Sequence, residues 1–312
     1  MTKPLISVIM PAFNAEKHMA ESVETVINQT YQNWELIIVN DGSTDSTGAI
    51  AQQYALADKR IKLINQQNKK LSAARNTGIK ASTGDWIAFL DADDLWVTDK
   101  LEKQIDIINT NPDIGLVFSD GYIFNDGDMN TDFPYGAVSG RFTGVQMYKR
   151  LYQGNYVPIL SVLVKKTHLD KAGWQDEQFV ACQDWDYWLR LAGNDVIFYG
   201  MPDRLFYYRR HGNNMSNDSN LMDLEKSVVF VKNFNRELFD APALKNLKSF
   251  LNITICKLIG ESKIKEALYL ISKPDGLWKK MAQNIVRFLI NNLKKNANYP
   301  VRLAFKTENL FA

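Results

Sequence analysis

Apolar residues in about the first hundred positions follow two alternating patterns. Short continuous apolar runs are typical of buried strands, and they alternate with segments whose apolar residues recur at the spacing of one helix face. The pattern predicts strands at Leu5–Met10, Trp34–Asn40, Ile61–Asn65 and Asp85–Leu90, and helices at Glu16–Gln29, Thr44–Ala57 and Ser72–Lys80. Strands that alternate with helices favour an α/β fold, with a Rossmann-like, mostly parallel sheet and flanking helices.

The rest of the sequence continues this alternation less regularly. It predicts helices at Lys100–Asn109, Gly144–Tyr152 and Asp184–Ala192, and strands at Gly115–Ser119, Ile159–Lys165, Val196–Tyr199 and Asp203–Arg210. Residues 125–142 and 212–220 are polar and rich in Gly or Asn, which predicts loops. From Leu221 onward the pattern is helical. We therefore expect an α/β domain at residues 1–220 and a helical C-terminal region at residues 221–312.

Charge is distributed unevenly along the chain. The formal net charge is only +2, so the total does not point to a nucleic-acid partner. Residues 243–312 contain 13 Lys or Arg and 4 Asp or Glu, a balance of +9, which leaves −7 for the first 242 residues. This asymmetry indicates an acidic, cation-tolerant body with a basic appendage.

The basic region contains an amphipathic segment, Leu277–Lys295. Its apolar residues fall toward one side as a helix, and its basic residues populate the remainder: Lys279, Lys280, Arg287, Lys294 and Lys295. Such a helix is suited to lie on anionic lipid, or else to pack against the body or a second subunit. The sequence leaves peripheral membrane contact and self-association open.

Other features indicate a cytoplasmic protein. The N-terminal residues lack the long apolar run of a signal peptide. No stretch approaches the roughly 18 to 20 apolar residues of a spanning helix. Cys182 and Cys256 share no metal-binding spacing, so we expect free thiols in a reducing compartment. We expect that contact with a membrane, if it occurs, is at the inner face.

Polar or turn-forming segments follow each of the first four predicted strands. They are Pro11-Ala12-Phe13-Asn14, Asp41-Gly42-Ser43, Gln66-Gln67-Asn68 and Asp91-Ala92-Asp93-Asp94. Ligands of open α/β sheets bind beyond the carboxyl ends of the strands. The sequence therefore predicts a ligand site where these four segments meet.

The cluster Asp91-Ala92-Asp93-Asp94 is the strongest candidate for a metal site. Mg²⁺ and Mn²⁺ are held by one or two carboxylates, and substrate phosphates complete the coordination. Helix capping is the alternative for such a cluster. We expect Asp94 to cap a helix that begins near Leu95, which leaves Asp91 and Asp93 for a ligand.

Four motifs in order resemble the family 2 glycosyltransferases of the GT-A fold. They are Pro11-Ala12-Phe13-Asn14, Asp41-Gly42-Ser43-Thr44-Asp45, Ala73-Ala74-Arg75-Asn76-Thr77-Gly78 and Asp91-Ala92-Asp93-Asp94. The resemblance spans about residues 5–215. It implies a nucleotide-binding half at about residues 1–98 and an acceptor half with a lid loop at residues 99–220.

The resemblance also implies which residues hold the donor. Asp41 would accept a hydrogen bond from uracil N3–H, and Arg75 would lie by the nucleotide, where a guanidinium suits a diphosphate or a base. Asp91 would face the ribose, and Asp93 would bind Mn²⁺ or Mg²⁺. The remaining expected contacts to the nucleotide-sugar are Pro11, Ala12, Phe13, Asn14, Glu16 and Ala92.

A second group of motifs lies in the acceptor half. Gln183-Asp184 resembles the Glu-Asp catalytic motif of the family, with Gln in place of the usual Glu, so Asp184 would be the general base. Helix capping by Asp184 and a base at Asp186 are the alternatives. In Arg209–Ser216, His211 would contact the metal or the pyrophosphate, and the loop after it resembles a lid. We interpret His18 and His168 as structural.

The resemblance implies an inverting transferase that moves a hexose or N-acetylhexosamine from a UDP-sugar to a hydroxyl of a glycan or lipid-linked acceptor. A non-catalytic nucleotide-sugar-binding subunit is the alternative. A nucleotidyltransferase would need a Gly-rich basic loop near the N-terminus, and a dehydrogenase would need GxGxxG after the first strand. Neither is present.

Overall fold

The computed structural model describes residues 3–212, 214–233 and 235–238. All of these belong to one unit, Met1–Leu247. The amphipathic segment Leu277–Lys295 and most of the predicted C-terminal region lie outside the described residues. Within them, no helix is long and apolar enough to cross a membrane.

The described chain contains ten strands. They are β1 (Ile6–Ala12), β2 (Trp34–Asp41), β3 (Ile61–Gln66), β4 (Trp86–Phe89), β5 (Leu95–Trp96), β6 (Leu116–Asn125), β7 (Asp128–Pro134), β8 (Gly140–Phe142), β9 (Leu163–Lys165) and β10 (Phe198–Arg210). Its α-helices are α1 (Met19–Ile27), α2 (Thr47–Ala57), α3 (Lys70–Ala81), α4 (Lys100–Thr110), α5 (Gly144–Leu151), α6 (Lys166–Ala172), α7 (Gln183–Gly193) and α8 (Ser219–Lys232). Short 3₁₀ turns lie at Ile159–Ser161, Met215–Asn217 and Arg236–Leu238.

The strands form one sheet in the order β3-β2-β1-β4-β9-β6-β10-β5, with β7 beside β6 and β8 beside β10. The first four of these strands are parallel, as are β6 and β10. The short β9 runs antiparallel between β4 and β6. The structure confirms the predicted α/β fold with a central, mostly parallel sheet and flanking helices.

The register of the central strands aligns their carboxyl ends. Ala12 lies opposite Asn40, and Asp41 lies opposite Gln66. Every residue of β1 and β2 is buried, as expected for strands covered by helices on both faces. Helix α3 lies close to β1, since a Cβ added at Gly78 would be 2.4 Å from Ile9 Cγ2. This packing leaves the polar loops at one edge of the sheet.

Three sequence predictions differ from the structure. The helix expected near Leu95 is wrong, because Leu95–Trp96 pairs with β10 and α4 begins at Lys100. The two strands predicted at Val196–Tyr199 and Asp203–Arg210 form one strand, β10, which has register irregularities between Met201 and Tyr207. The strand predicted at Ile159–Lys165 begins as a 3₁₀ turn, in which Ser161 Oγ donates to the Pro158 carbonyl at 2.7 Å.

Two further differences concern segments predicted without regular structure or not predicted at all. Residues 125–142, predicted as a loop, contain β7 and β8. The short helix α6 was not expected. The sequences of β7 (DMNTDFP) and β8 (GRF) lack the regular alternation of apolar and polar residues on which strand prediction depends.

Glu35 on β2 anchors the amino ends of the central strands. Its carboxylate accepts hydrogen bonds from Ser7 Oγ at 2.5 Å, from Thr83 N at 2.6 Å and from Lys62 Nζ at 2.7 Å. Burial opposes ionisation of this carboxyl. The bonds from Lys62, Ser7 and Thr83 outweigh that effect and lower the pKa of Glu35 from 4.5 to about 2.

We expect Glu35 to make the free energy of unfolding depend on pH in the acidic range. A lowered pKa in the folded state adds stability above the unfolded-state value, and that stability is lost as the pH falls from 4.5 toward 2. Glu35→Gln should therefore reduce the free energy of unfolding at neutral pH by about 2 kcal/mol, allowing for screening at the half-exposed Lys62. Urea unfolding measured across the acidic range provides the test.

The exposed Glu24→Gln is a matched control, and we expect it to change stability by less than about 0.5 kcal/mol. Equal acid dependence in the wild type and in Glu35→Gln would contradict the assignment to Glu35.

Candidate functional site

The loops after β1 and β2 are held together by reciprocal hydrogen bonds. Asn14 Oδ1 accepts from Thr44 N at 2.9 Å, and Asn14 N donates to Ser43 Oγ at 3.0 Å. Glu16 Oε2 accepts from Ser46 N at 2.9 Å. Asn14 adopts the left-handed conformation at φ 49°, which Asn tolerates better than most residues. The two loops therefore form a single edge.

Residues at the end of β1 differ in how far their side chains are exposed to solvent. Pro11 and Ala12 are buried, whereas Phe13 is 52 % exposed. A large apolar side chain exposed in a polar loop is available to contact a flat apolar surface. Pro11, Ala12, Phe13, Asn14 and Glu16 all lie at or just beyond the carboxyl end of β1, as the sequence predicts.

Asp41 lies buried at the end of β2. Its Oδ1 accepts from Gln66 Nε2 at 2.6 Å and from Lys69 N at 2.9 Å. Both of these bonds are to Oδ1, and no described residue bonds to Oδ2. The second oxygen therefore has the capacity to accept a hydrogen bond from a ligand. Gly42 follows at φ 76°, where a side chain is disfavoured and where a Cβ would be 2.7 Å from Asn68 N.

Helix α3 carries Arg75, which forms an ion pair with Asp91 beyond β4. Arg75 Nη2 donates to both oxygens of Asp91, at 2.7 and 2.9 Å. The side chain of Arg75 is only 1 % exposed. Its Nε and Nη1 are buried without a hydrogen-bond partner among the described residues. Unpaired buried donors are costly, and in this conformation both nitrogens are enclosed by the protein.

Asp93 meets His211, which lies just beyond β10. Asp93 Oδ2 and His211 Nε2 are 2.8 Å apart, across 118 positions of sequence. Burial, followed by the negative charge of Asp91, raises the pKa of Asp93, and the contact with His211 partly opposes this. Ala92, between the two Asp residues, is buried. The structure thus brings together both predicted metal-ligating residues.

The chemistry of this pair fits a divalent cation. A carboxylate oxygen and an imidazole nitrogen in contact are donors that Mn²⁺ accepts. The described residues contain no group of three or more potential ligands. Two protein ligands nevertheless suffice where phosphate oxygens and water complete the coordination of Mg²⁺ or Mn²⁺.

Asp94 has a different role from the helix cap that the sequence predicts. It is 1 % exposed, and its Oδ1 accepts from Arg209 N at 2.7 Å. Burial raises the pKa of Asp94 well above 3.8, and the nearby Asp93 and Asp91 raise it further. The capping prediction is wrong because the apolar residues after Asp94 form a strand, β5, rather than a helix.

Arg209 holds the acidic loop in place and was not among the predicted site residues. Its Nε donates to the Asp93 carbonyl at 2.7 Å, and its guanidinium pairs with Glu21 at 2.5 Å and with Asp126 at 3.2 Å. The sequence signal was its place two residues before His211. Nothing in the sequence indicated its partners, since Glu21 and Asp126 belong to distant segments.

Asparagine side chains fix the loop after β10. Asn214 Oδ1 accepts from His211 N at 2.5 Å, and Asn214 Nδ2 donates to the Arg209 carbonyl at 3.1 Å. Asn217 Nδ2 donates to the His211 carbonyl at 3.1 Å. These bonds set the backbone of His211. A role of this loop as a lid stays a prediction.

Two other histidines were interpreted as structural. The ring of His18 stacks on His211 with centroids 5.9 Å apart, so His18 lies beside the candidate metal site. His168 packs against Gly115, where a Cβ would be 2.6 Å from its Nε2. Burial lowers the pKa of both rings. The stacking of His18 was not predicted.

Asp184 lies in the first turn of α7, two residues inside the cap residue Cys182. Its Oδ2 accepts from Asn155 Nδ2 at 2.9 Å, and its Oδ1 accepts from Trp185 N at 2.7 Å. Asp184 is therefore not the cap residue. Burial raises its pKa, and the positive charge of Arg75 opposes the rise. A raised carboxyl pKa suits a general base that works near neutral pH.

The alternative base, Asp186, is fully buried and occupied by structural partners. Its Oδ2 accepts from Arg190 Nε at 2.9 Å. Its Oδ1 lies 2.9 Å from both Lys232 Nζ and Asn233 Nδ2. Gln183, the residue that replaces the usual Glu, also lies buried in this turn, and its Oε1 has no hydrogen-bond partner among the described residues. Of the two acidic candidates in this helix, Asp184 is partly exposed and Asp186 is fully buried.

Comparison with known proteins places these observations in a family. The model of a family described as glycosyl transferase family 2 matches residues 7–157. An uncharacterized glycosyltransferase of Methanocaldococcus jannaschii is 35 % identical over 67 % of this chain and 72 % of its own length. UDP-Glc:alpha-D-GlcNAc-diphosphoundecaprenol beta-1,3-glucosyltransferase of Escherichia coli is 34 % identical over 62 % of this chain and 72 % of its own length.

Solved structures share the fold at low sequence identity. Staphylococcus aureus TarS 1-349 in complex with UDP-GlcNAc has a TM-score of 0.66 at 16 % identity, over 87 % of this chain and 82 % of that one. A mannosyltransferase of Pyrobaculum calidifontis in complex with GDP-Man and Mn²⁺ has a TM-score of 0.55 at 16 % identity, over 95 % and 83 %. These likenesses confirm the predicted GT-A architecture.

Proposed function

The chain belongs to glycosyl transferase family 2 and is a glycosyltransferase, and from that premise we propose an inverting transfer of a hexose or N-acetylhexosamine. The donor is a UDP-sugar, and the acceptor is a hydroxyl group of a glycan or a lipid-linked saccharide. One observation carries the proposal. Arg75 pairs with Asp91, and its positive charge also opposes the rise in the pKa of Asp184, which supports one site that holds both the donor-side acidic loop and the candidate base.

Asp41 supports the choice of a uracil base. Gln66 and Lys69 occupy Oδ1, which leaves Oδ2 to accept from N3–H of uracil. Adenine presents an acceptor at the corresponding ring nitrogen and would meet this carboxylate unfavourably. Pro11, Ala12, Phe13, Asn14 and Glu16 enclose the base and ribose from the β1 side. Asp91 and Ala92 face the ribose from the β4 side.

The positive charge of Arg75, which lies beside Asp91, supports binding of the diphosphate. A guanidinium carries its donors in a fixed plane that matches phosphate oxygens. Asp93 and His211 would hold Mn²⁺ or Mg²⁺, and the bound cation would neutralise charge on the departing nucleotide diphosphate. The loop after His211 covers the donor and excludes water, which limits hydrolysis of the nucleotide-sugar.

Asp184 acts on the acceptor. Its carboxylate removes the proton from the acceptor hydroxyl while that oxygen attacks the anomeric carbon from the face opposite the diphosphate, which inverts the configuration. The transition state is oxocarbenium-like, as in glycoside hydrolysis. Asn155 and Trp185 N–H orient the carboxylate for this step.

The acceptor class has support from the relatives. The name of the Escherichia coli relative states a UDP-Glc donor and a diphosphoundecaprenol-linked acceptor. A lipid-linked acceptor also fits work at the inner face of a membrane, where the basic region 243–312 would help to retain the enzyme. The predicted halves, residues 1–98 for the nucleotide and 99–220 for the acceptor, belong to the same proposal.

A donor screen with the full chain tests the proposal. UDP-glucose, UDP-galactose, their N-acetyl forms and GDP-mannose are each supplied with Mn²⁺ and a lipid-linked saccharide extract, and release of nucleoside diphosphate is counted. We expect acceptor-dependent release of UDP from one uridine donor and little release of GDP. The product linkage, read by NMR, should have the anomeric configuration opposite to that of the donor. Turnover of GDP-mannose alone, or a product with retained configuration, would contradict the proposal.

A further inference from the structure

We propose that Glu225, on α8, positions the candidate base Asp184 by fixing the residues that lead into α7. The carboxylate of Glu225 accepts three consecutive backbone N–H groups: Val180 N at 2.8 Å, Ala181 N at 2.7 Å and Cys182 N at 2.8 Å. We call this arrangement the Glu225 clasp. The inference rests on the proposed function of Asp184.

The clasp acts on the point where α7 begins. Cys182 is the cap residue of α7, and its carbonyl accepts from Asp186 N at 3.1 Å, the first hydrogen bond of the helix. Asp184 lies two residues further along. The backbone N–H groups at the start of a helix lack partners within it, and a negative charge there is favourable. The position of the Glu225 carboxylate therefore sets the position and direction of the first turn that carries Asp184.

The clasp holds three consecutive residues through one buried carboxylate. Hydrogen bonds to a carboxylate are stronger than those between neutral groups, and Glu225 is only 7 % exposed. Three such bonds on adjacent residues leave the peptide little freedom to rotate. The Asp184 side chain itself accepts hydrogen bonds from Asn155 and from the N–H of its neighbour Trp185.

Helix α8 has attachments that do not involve Glu225. Tyr152 Oη donates to the Phe230 carbonyl at 2.8 Å, and the Phe230 ring stacks on Tyr152 at 4.7 Å. Lys232 and Asn233 contact Asp186. Loss of the clasp therefore frees residues 180–182 while α8 stays in place. A change at Glu225 therefore tests the positioning of Asp184 without a general loss of structure.

Glu225→Gln is the informative change, because it preserves the size of the side chain. An amide offers one acceptor oxygen, and its NH₂ group faces N–H groups that need an acceptor. The control is Ser227→Ala on the same helix. Ser227 is fully buried, and its hydroxyl donates to the Asp223 carbonyl at 2.9 Å, within α8 itself.

Cys182 reports the state of the clasp without reference to catalysis. The chain has two cysteines, so a Cys256→Ser background leaves Cys182 as the sole thiol. Cys182 is 1 % exposed, and its backbone N–H belongs to the clasp. Labelling of this thiol by an aromatic disulfide reagent measures opening of the segment. Transfer is measured in the same proteins as kcat and as KM for the donor.

We expect Glu225→Gln to label at least about tenfold faster than its background, since a bond to a charged acceptor contributes enough to change local opening by that factor. The kcat for transfer should fall by about 100-fold, as for a small misplacement of a reacting group. The KM for the donor should stay unchanged, and Ser227→Ala should match the background in labelling and in kcat.

Three outcomes would overturn the inference. Unchanged labelling in Glu225→Gln would show that no clasp holds the segment. Faster labelling with unchanged kcat would show that the segment moves without affecting Asp184. An equal fall of kcat in Ser227→Ala would show that the effect is one of α8 stability. If Asp184→Asn retains transfer, the proposed function of Asp184 fails, and the labelling result then separately decides whether the clasp exists.

Discussion

Asp184→Asn is expected to lower the rate of sugar transfer by about 10³-fold, the range of a lost general base, and to leave the affinity for UDP unchanged. An amide of the same shape keeps a hydrogen bond from Trp185 N but cannot take a proton from the acceptor. In the proposed site, UDP binds at Asp41, Arg75 and Asp93, and Asp184 serves the acceptor instead. Initial rates with a saturating acceptor, together with UDP titration by calorimetry, measure the two effects separately.

The pH dependence of transfer gives a second measure of the same residue. Burial raises the pKa of Asp184 above 3.8, so a base that must be ionised is protonated over a wider acidic range. The wild-type kcat should rise with pH through a pKa above that value, and the residual rate of Asp184→Asn should lack this limb. Asp186→Asn is the matched control, because that carboxylate holds Arg190, Lys232 and Asn233. It should reduce stability and retain the limb, and a limb that disappears only in Asp186→Asn would reassign the base.

Asp93→Ala is expected to abolish transfer together with the Mn²⁺-dependent part of UDP binding. In the proposed metal site the variant retains only the imidazole ligand. Charge stabilisation of a leaving diphosphate is worth several kcal/mol, so the rate should fall by at least about 10³-fold. UDP titrations with and without Mn²⁺, in the wild type and the variant, measure the coupling. The two proteins should bind UDP equally once Mn²⁺ is absent.

A control for charge alone is Asp58→Ala. Asp58 pairs with Arg60 at 2.7 Å and is not part of the site, so transfer and Mn²⁺ dependence should both persist. Addition of EDTA to the wild type should reproduce the loss seen in Asp93→Ala. Full transfer in EDTA would contradict a metal at Asp93 and His211.

Residues that follow directly on a predicted strand were placed well by the sequence. Asp41 and Asp91 each follow a segment that the sequence predicts as a strand, and parallel strands bring their carboxyl ends to one edge. The contact of Asp93 with His211 joins positions 118 residues apart. Only the resemblance to a family suggested it, since the spacing of apolar residues carries no information on long-range pairing.

The role of Asp94 shows why local patterns misled. An Asp before an apolar segment precedes a helix or a strand equally well, and the two differ only in which backbone group the carboxylate meets. In the structure that group is the N–H of Arg209, on a strand that the sequence does not align with it. The Glu225 clasp was hidden for the same reason. Backbone N–H groups are its partners, and every residue except proline has one.

Gly78 lets α3 lie against β1, and this close packing also determines where Arg75 lies. Arg75 stands three residues before it, almost one helical turn, and about 4.5 Å along the axis. A methyl group at Gly78 would collide with Ile9 and lift the helix, and the guanidinium would rise away from Asp91 with it. The glycine in Ala73-Ala74-Arg75-Asn76-Thr77-Gly78 thus sets how far helix α3 lies from β1, and with it the position of Arg75 beside Asp91.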